Sequence, residues 1–169
     1  MMTKQIEVFF DYICPYCDRG IRQFLEILPK YPETQVIWRP CESHPRPEEY
    51  GPFHSDIAIQ AMFALEDAGG DLISFHLKVF DAWFTKGERL DNRELLATLA
   101  AECGGDEKEI VTALEKNRYA KKVQEANRYA WDEKGLFAVP SYISEGRRAL
   151  SRDGQLVPIQ EVEQLLNAD

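Results

Sequence analysis

Apolar side chains recur along the chain with a period that changes from strand-like to helix-like and back again. Residues 5–10 (QIEVFF) are rich in β-branched and aromatic side chains and predict a short strand. From Ile21 to Leu28 the apolar residues recur at helical spacing until prolines end the run. Residues 34–39 (TQVIWR) predict a second strand. Strand, helix and strand in this order form a βαβ unit, whose two strands run parallel.

The middle of the chain contains several segments whose apolar residues recur at helical spacing, and glycines mark the ends of several of these predicted helices. Two of the predicted helices begin with an acidic pair that resembles a capping box, Asp91 with Glu94 and Asp106 with Glu109. The predicted helices cover residues 57–65, 72–84, 91–102, 106–117 and 118–134.

Strand signals return after this helical block. PSYIS, a tight turn around Glu145-Gly146 and RRALS predict a hairpin, and Pro158 begins a final amphipathic helix. We therefore predict an α/β fold whose two halves are separated by an all-helical insertion. The predicted division assigns residues 1–52 and 118–169 to the α/β domain and residues 53–117 to the insertion.

Composition narrows the class of protein. The 169 residues are 44% hydrophobic and 29% charged, as in an ordinary soluble domain, and the net charge of -9 argues against a nucleic-acid partner. No apolar run approaches the roughly 20 residues that span a bilayer, so no membrane partner is expected. A charged Glu7 interrupts the first apolar stretch and no small-residue cleavage site follows, which predicts a cytoplasmic location. In the cytoplasm structural disulfides are rare, and a Cys-x-x-Cys pair is more often catalytic or metal-binding.

Cys14 and Cys17 are separated by two residues where the first strand gives way to a helix. Pro15 fits the first helical position, so Cys14 should lie at the start of the helix, facing unsatisfied backbone N–H groups. Such a place lowers the pKa of a thiol and makes it a nucleophile. Cys17, one turn later, could then attack a mixed disulfide on Cys14, which is the requirement of thiol–disulfide exchange.

Two other interpretations of the cysteine pair stay open. Cys41 and His44 form a Cys-x-x-His pair further along the chain. Together with the first cysteine pair they match a four-ligand zinc pattern. The cysteines could also be small apolar residues. Taken singly, Cys41 and Cys103 are expected to be partly buried, unreactive thiols. We expect no metal, because the first pair leads into an apolar helix rather than a polar turn.

A redox site also needs a surface that holds the substrate against Cys14. Val139-Pro140 opens a predicted strand, where proline removes a backbone donor. A cis bond at this position would provide such a surface, although cis bonds make up only about 5–6% of X–Pro bonds. A trans proline that merely opens the strand is the alternative.

These features together resemble a known family. FFDYICPYC, the βαβ start, the helical insertion and the late AVPSYI are similar to the DsbA-like branch of the thioredoxin superfamily, in particular its intracellular, FrnE-related members. Glutaredoxins share Cys-Pro-Tyr-Cys and a Val-Pro loop but are much shorter and lack the insertion. Kappa-class glutathione transferases and chromene-carboxylate isomerases share the insertion but typically carry serine at the position of Cys14.

The resemblance implies a thioredoxin-like fold and a role for each site residue. Cys14 would attack, Cys17 would resolve, and Val139 with Pro140 would form the cis-proline loop. Asp11 would take up a proton or tune the thiolate, unless it is only a turn residue. The dipeptide Pro15-Tyr16 would set the reduction potential, and the Tyr16 ring would contact substrate.

The expected substrate is a disulfide-containing protein or a small thiol compound, handled by a reductase or isomerase. No cofactor is expected beyond the Cys14–Cys17 pair, with glutathione open as a co-substrate. A homodimer through the outer face of the insertion is also open. The alternative functions are a glutathione-dependent isomerase or transferase, and a zinc-stabilised interaction module.

Overall fold

A computed structural model describes residues 4–45, 54–152 and 155–167. The chain divides into two compact units. One unit comprises Met1–Ser43 with Arg128–Asp169, and the other comprises His44–Asn127. The predicted boundary between residues 52 and 53 lies outside the described residues. The packing assigns residues 118–127 to the helical unit, whereas the sequence-based boundary placed them with the sheet.

The first unit is built on a four-stranded sheet, as the alternation of strand and helix patterns predicted. The strands are β1 (Gln5–Phe10), β2 (Gln35–Pro40), β3 (Ser141–Ser144) and β4 (Arg147–Leu150). Their order across the sheet is β2-β1-β3-β4. Strand β1 is parallel to β2 and antiparallel to β3, which is antiparallel to β4. Glu145 and Gly146 connect β3 to β4 with φ angles of 50° and 81°, which the twist of a tight hairpin requires.

Two helices pack together beside this sheet, α1 (Pro15–Ile27) and α7 (Ile159–Asn167). The buried face of α1 includes Phe24, whose ring meets Trp38 of β2 and Tyr142 of β3 at centroid distances of 6.2 and 5.7 Å. Phe9, the neighbour of the buried Val8 and Phe10 along β1, instead stacks on Tyr129 at 5.9 Å. Alternate residues of a strand point to opposite faces, so both faces of β1 are covered by aromatic rings.

The second unit consists of helices around a central helix. Helix α2 (Asp56–Asp67) is buried along most of its length and contacts each of the other four. The Gln60 side chain of α2 donates to Asn117 Oδ1 at 3.3 Å and accepts from the Tyr119 backbone N–H at 3.2 Å. These two bonds connect α2 to the segment that leads into the last helix of this unit. The four helices around α2 are α3 (Leu72–Phe80), α4 (Arg93–Glu102), α5 (Glu107–Glu115) and α6 (Ala120–Asn127).

Two sequence predictions about these helices were wrong in detail. Asp91 is not the N-cap of α4, because Asn92 accepts the Leu95 N–H at 3.1 Å while Asp91 pairs with Arg89. The helix predicted over residues 118–134 is not uniform, since α6 ends at Asn127 and a wider π-helical turn follows over Arg128–Glu133. The cap predicted at Asp106 is confirmed, since it accepts the Glu109 N–H at 2.9 Å.

Within the described part of the chain, none of the helices combines the length and apolar character that crossing a membrane requires.

Candidate active site

Cys14 occupies the N-cap of α1, at the end of the turn that follows β1. Its backbone is extended, with φ -91° and ψ 117°, and Pro15 takes the first helical position, where a missing N–H costs nothing. The partly exposed Cys14 Sγ accepts the Cys17 backbone N–H at 3.2 Å. The sulfur therefore holds the place that an oxygen fills in an ordinary helix cap.

Hydrogen bonding to Cys17 lowers the pKa of the Cys14 thiol below its ordinary value. Partial burial and the negative charge of Asp11 act in the opposite direction, and backbone N–H groups at the start of the helix add to the lowering. The net effect favours a thiolate on the one cysteine of the pair that solvent can reach, and the thiolate is the form that attacks a disulfide.

Cys17 has the opposite environment one turn further along α1. Its side chain is fully buried, and its Sγ accepts the Asp11 backbone N–H at 3.4 Å. Burial raises the pKa of Cys17 well above its ordinary value, and the hydrogen bond to Cys14 raises it further. The site thus contains a partly exposed thiol with a lowered pKa beside a buried thiol with a raised pKa.

The loop before β3 contacts the exposed sulfur. Cys14 Sγ lies 3.7 Å from the Val139 carbonyl oxygen, and the Val139–Pro140 peptide bond is cis. Val139 and Pro140 are buried, and the loop is held by the Ser141 hydroxyl, which donates to the Ala138 carbonyl at 2.9 Å. The structure therefore brings Cys14, Cys17 and Val139-Pro140 together, as the sequence predicted.

Asp11 lies beneath the site with no exposed surface. One carboxylate oxygen accepts the Ile13 N–H at 3.3 Å, two residues along the chain, which closes the turn that leads into Cys14. The other oxygen accepts the Ser43 N–H at 2.8 Å, beyond the end of β2. These two hydrogen bonds fit the interpretation of Asp11 as a turn residue, and its negative charge raises the pKa of both thiols. Proton uptake by Asp11 stays a prediction.

Aromatic side chains are exposed on two segments of the site. Tyr16, between the cysteines, is 39% exposed, and Phe137, two residues before Val139, is 95% exposed. Pro15 is also exposed. Exposed aromatic rings beside a reactive group are available for contact with a bound molecule. An open cleft of about 440 Å³ extends from the second segment and is lined by Phe137, Arg148, Leu150, Ser151, Arg152 and Glu161.

The other two cysteines are buried thiols. Cys41 Sγ lies 3.7 Å from the Phe10 carbonyl oxygen, and burial raises the pKa of Cys41 well above its ordinary value. Cys103 is 6% exposed, and burial raises its pKa as well. Among the described residues, no group of three or more His, Cys, Asp or Glu side chains could hold a metal ion. The zinc alternative, which needs Cys41 and His44 with the pair, stays a prediction that metal analysis tests.

The sequence interpretation did not select two residues that shape the site. A Cβ atom placed on Gly20 of α1 would lie 3.1 Å from Pro140 Cγ and 3.2 Å from Tyr142 Oη, so this glycine lets the helix approach the Val139-Pro140 loop. A glycine inside an apolar helix pattern costs about 1 kcal/mol relative to alanine and thereby signals close packing. Tyr142 lies two residues after Pro140 and therefore on the same face of the strand.

The sequence matches the family described as DSBA-like thioredoxin domain over residues 5–168. The chain belongs to this family. As a DsbA-like protein it is an enzyme of the thiol–disulfide oxidoreductase class, which confirms the prediction made from its cysteine pair. A curated relative, the uncharacterised protein YwbO of Bacillus subtilis strain 168, is 28% identical and covers 84% of this chain and 87% of its own.

Solved structures confirm the thioredoxin-like fold class. A probable DsbA oxidoreductase from Streptomyces coelicolor matches with a TM-score of 0.78 and 16% identity, over 98% of this chain and 91% of its own. A putative protein disulfide isomerase from Nitrosomonas europaea matches with a TM-score of 0.77 and 13% identity, over 98% and 97% of the two chains. The DsbA of Chlamydia trachomatis matches with a TM-score of 0.72 and 16% identity, over 96% of this chain and 84% of its own. At these identities the likeness concerns the fold alone.

Proposed function

We propose that this DsbA-like protein reduces or isomerises disulfides by means of Cys14 and Cys17, with Cys14 as the attacking thiolate. The observation that carries the proposal is the contrast between the two sulfurs. Cys14 Sγ is partly exposed, accepts a backbone N–H and has a lowered pKa, whereas Cys17 is buried and has a raised pKa. A nucleophile that is also a good leaving group, paired with a sheltered resolving thiol, is what exchange requires.

The reaction consists of two displacements. The Cys14 thiolate attacks one sulfur of the substrate disulfide, a bond forms between the two sulfurs, and the second substrate sulfur leaves with the electron pair and takes up a proton. Cys17 then loses its proton and attacks Cys14 Sγ, which releases the first substrate sulfur as a thiolate. The substrate gains two electrons, and the enzyme is left with a Cys14–Cys17 disulfide. The proton that Cys17 loses and one proton from solvent balance the protonation of the two released substrate sulfurs.

The direction of net transfer follows from the compartment. A cytosolic poise between about -220 and -320 mV keeps most such pairs reduced, which favours a reductase or isomerase over a net oxidase. This part of the proposal rests on the cytoplasmic location predicted from the sequence. Recycling needs an external dithiol or two molecules of a monothiol such as glutathione. The resemblance to the FrnE-related branch remains a prediction.

The surface beside Cys14 supports a polypeptide substrate. The Val139 carbonyl lies next to the attacking sulfur, where a bound chain would meet it. The exposed rings of Tyr16 and Phe137 offer apolar contact on two segments of the site. Segments that expose apolar side chains next to a disulfide, as in misfolded proteins, fit this surface best.

The test is insulin reduction by the wild-type protein and by two single variants. Cys14→Ser should lower the rate to that of the uncatalysed reaction, because no other thiol of the site is both exposed and readily ionised. Cys17→Ser should accumulate a mixed disulfide on Cys14 that mass spectrometry detects. Cys103→Ser, in the helical unit, is the matched control and should leave the rate within about twofold of wild type.

Two outcomes would contradict the proposal. Full activity of Cys14→Ser would show that another group carries the reaction. Glutathione-dependent turnover that survives in Cys17→Ser, without insulin reduction by the wild type, would favour the glutathione-dependent isomerase or transferase. Metal analysis of the same preparations tests the zinc module, for which a stoichiometric ion would be required.

A further inference from the structure

The Tyr142 hydroxyl is a buried polar group close to the cysteine pair, and the two displacements do not use it. Tyr142 lies on β3 opposite Val8 of β1, and 1% of its surface is exposed. Its ring packs against Phe24 of α1. Among the residues that the structure describes, none forms a hydrogen bond with this hydroxyl. Tyr hydroxyls in such surroundings usually find a polar partner.

The hydroxyl points at the buried face of α1 next to the cysteines. Tyr142 Oη lies 3.2 Å from the place where a Cβ on Gly20 would be. Gly20 follows Cys17 by three residues, so both lie on one face of the helix, one turn apart. Pro140, whose neighbour Val139 contacts Cys14, reaches the same point at 3.1 Å. The phenol is thus enclosed between the helix that carries Cys17 and the loop that faces Cys14.

The second displacement places a negative charge on the buried Cys17 sulfur, and this charge must be stabilised. Cys17 must lose its proton inside the protein, where burial disfavours a negative charge on its sulfur. In the structure Cys17 Sγ accepts one hydrogen bond, from the Asp11 N–H. The Asp11 carboxylate accepts the N–H groups of Ile13 and Ser43, and its negative charge raises the pKa of Cys17. A neutral hydroxyl can donate without adding charge.

We propose that Tyr142 is a positioning residue for resolution and donates a hydrogen bond, directly or through one water, toward the Cys17 sulfur as its negative charge forms. The inference rests on the proposed function and assigns it one further residue. The phenol keeps its proton throughout, so no proton or electron is transferred to it. In the reverse direction, the same contact stabilises Cys17 as it leaves the Cys14–Cys17 disulfide.

The surroundings keep the phenol in its donating form. Burial raises the pKa of Tyr142, and the nearby Cys17 and Cys14 raise it further when they are charged. The groups that act on this hydroxyl are therefore the two thiols of the site. A tyrosine that ionised easily would repel the Cys17 thiolate instead of stabilising it.

The test separates the two displacements in one reaction. Dithiobis(nitrobenzoate), mixed with excess reduced protein, releases its coloured thiolate once when Cys14 attacks and again when Cys17 resolves. Tyr142→Phe removes only the hydroxyl. We expect the first phase to stay within about twofold of wild type and the second to slow by about tenfold at pH 7, the size expected for a hydrogen bond to a charged group. The pH midpoint of the second phase should rise.

Tyr129→Phe is the matched control. Its hydroxyl donates to Glu7 at 2.6 Å and its ring stacks on Phe9, which is not one of the α1-facing residues of β1. Both phases should be unchanged in this variant. A purely structural role of Tyr142 would slow the second phase without moving its pH midpoint, or slow both phases alike, and either result would overturn the inference. An unchanged second phase would do the same.

Failure of this inference and failure of the proposed function give different results. If Cys14→Ser still releases the first equivalent, the proposed function is wrong. If release depends on Cys14 and Cys17 but not on Tyr142, the proposed function stands and only the role of the phenol is rejected.

Discussion

Helix α1 of the sheet-containing unit and three helices of the helical unit begin in the same way, with a side chain that accepts a backbone N–H. In the helical unit the acceptors are Asp71, Asn92 and Asp106, all oxygen caps. At the start of α1 the acceptor is Cys14 Sγ. Sulfur is a weak acceptor when protonated, so a thiol caps a helix poorly and a thiolate caps it better. The same helix position that completes a helix in one unit activates a nucleophile in the other.

Cys103 lies at the opposite end of a helix from the end that Cys14 occupies. It occupies the C-cap of α4, where backbone carbonyls rather than N–H groups are left over. Burial raises its pKa, and only the charge of Lys78 opposes that effect to a notable degree. The two cysteines, at opposite ends of two helices, therefore differ in reactivity. Hydrogen bonding to Cys17 lowers the pKa of Cys14, whereas burial raises the pKa of Cys103.

The largest effect should be seen in alkylation of the native protein. At pH 7 iodoacetamide should modify Cys14 more than about tenfold faster than Cys103, because a lowered pKa supplies thiolate and partial exposure supplies access. Peptide mass spectrometry over time measures both rates. In denaturant the two rates should converge. Equal rates in the native protein would contradict the inferred difference in reactivity between Cys14 and Cys103.

A smaller effect is expected when the first cause of the low Cys14 pKa is removed. Cys17→Ala deletes the side-chain hydrogen bond to Cys14, so the Cys14 pKa should rise. Less thiolate is then present below the midpoint, and alkylation at pH 6 should slow several-fold while the rate well above the midpoint is unchanged. Cys17→Ser, which keeps a donor, should shift the pH profile less. A profile that does not move in Cys17→Ala would assign the effect to the helix alone.

The smallest effect concerns the oxygen caps. Asn92→Ala should lower the free energy of unfolding by about 1 kcal/mol in urea titration, since the Leu95 N–H loses its acceptor. The matched control is Asp91→Ala, the neighbour that the sequence pattern favoured, and it should cost less because an exposed ion pair such as that of Asp91 with Arg89 contributes little. Neither variant should change Cys14 alkylation. A larger cost for Asp91→Ala would reverse the assignment of the cap.

The predicted strands and the place of the cysteine pair followed from local rules. The β-branched run before residue 10 and Pro15 at the first helical position are signals within a few residues of each other, and they define the N-cap. The sequence pattern placed the cap at Asp91 because Asp and Asn both cap helices well. Only the folded chain shows that Asn92 has the extended cap conformation and accepts the Leu95 N–H.

The rest of the site depends on contacts between distant segments. Nothing in the sequence around Gly20 or Tyr142 indicates that they meet, since 122 positions separate them and the sheet pairing brings them together. The 3.7 Å contact between Cys14 and Val139 likewise requires β3 to pair with β1 in the observed register. Pattern rules identify the participants, and the register determines which of them touch.

Gly20 also matters to anyone who engineers this protein. Replacing a glycine inside a helix by alanine is a common way to raise stability. At this position the added methyl group would crowd Pro140, Tyr142 and Leu156 at 3.1 to 3.3 Å, so that these neighbours would have to shift by a few tenths of an ångström. A substitution chosen for thermal tolerance would therefore also alter the spacing between the redox helix and its facing loop, and screens for robust variants should monitor catalysis alongside melting.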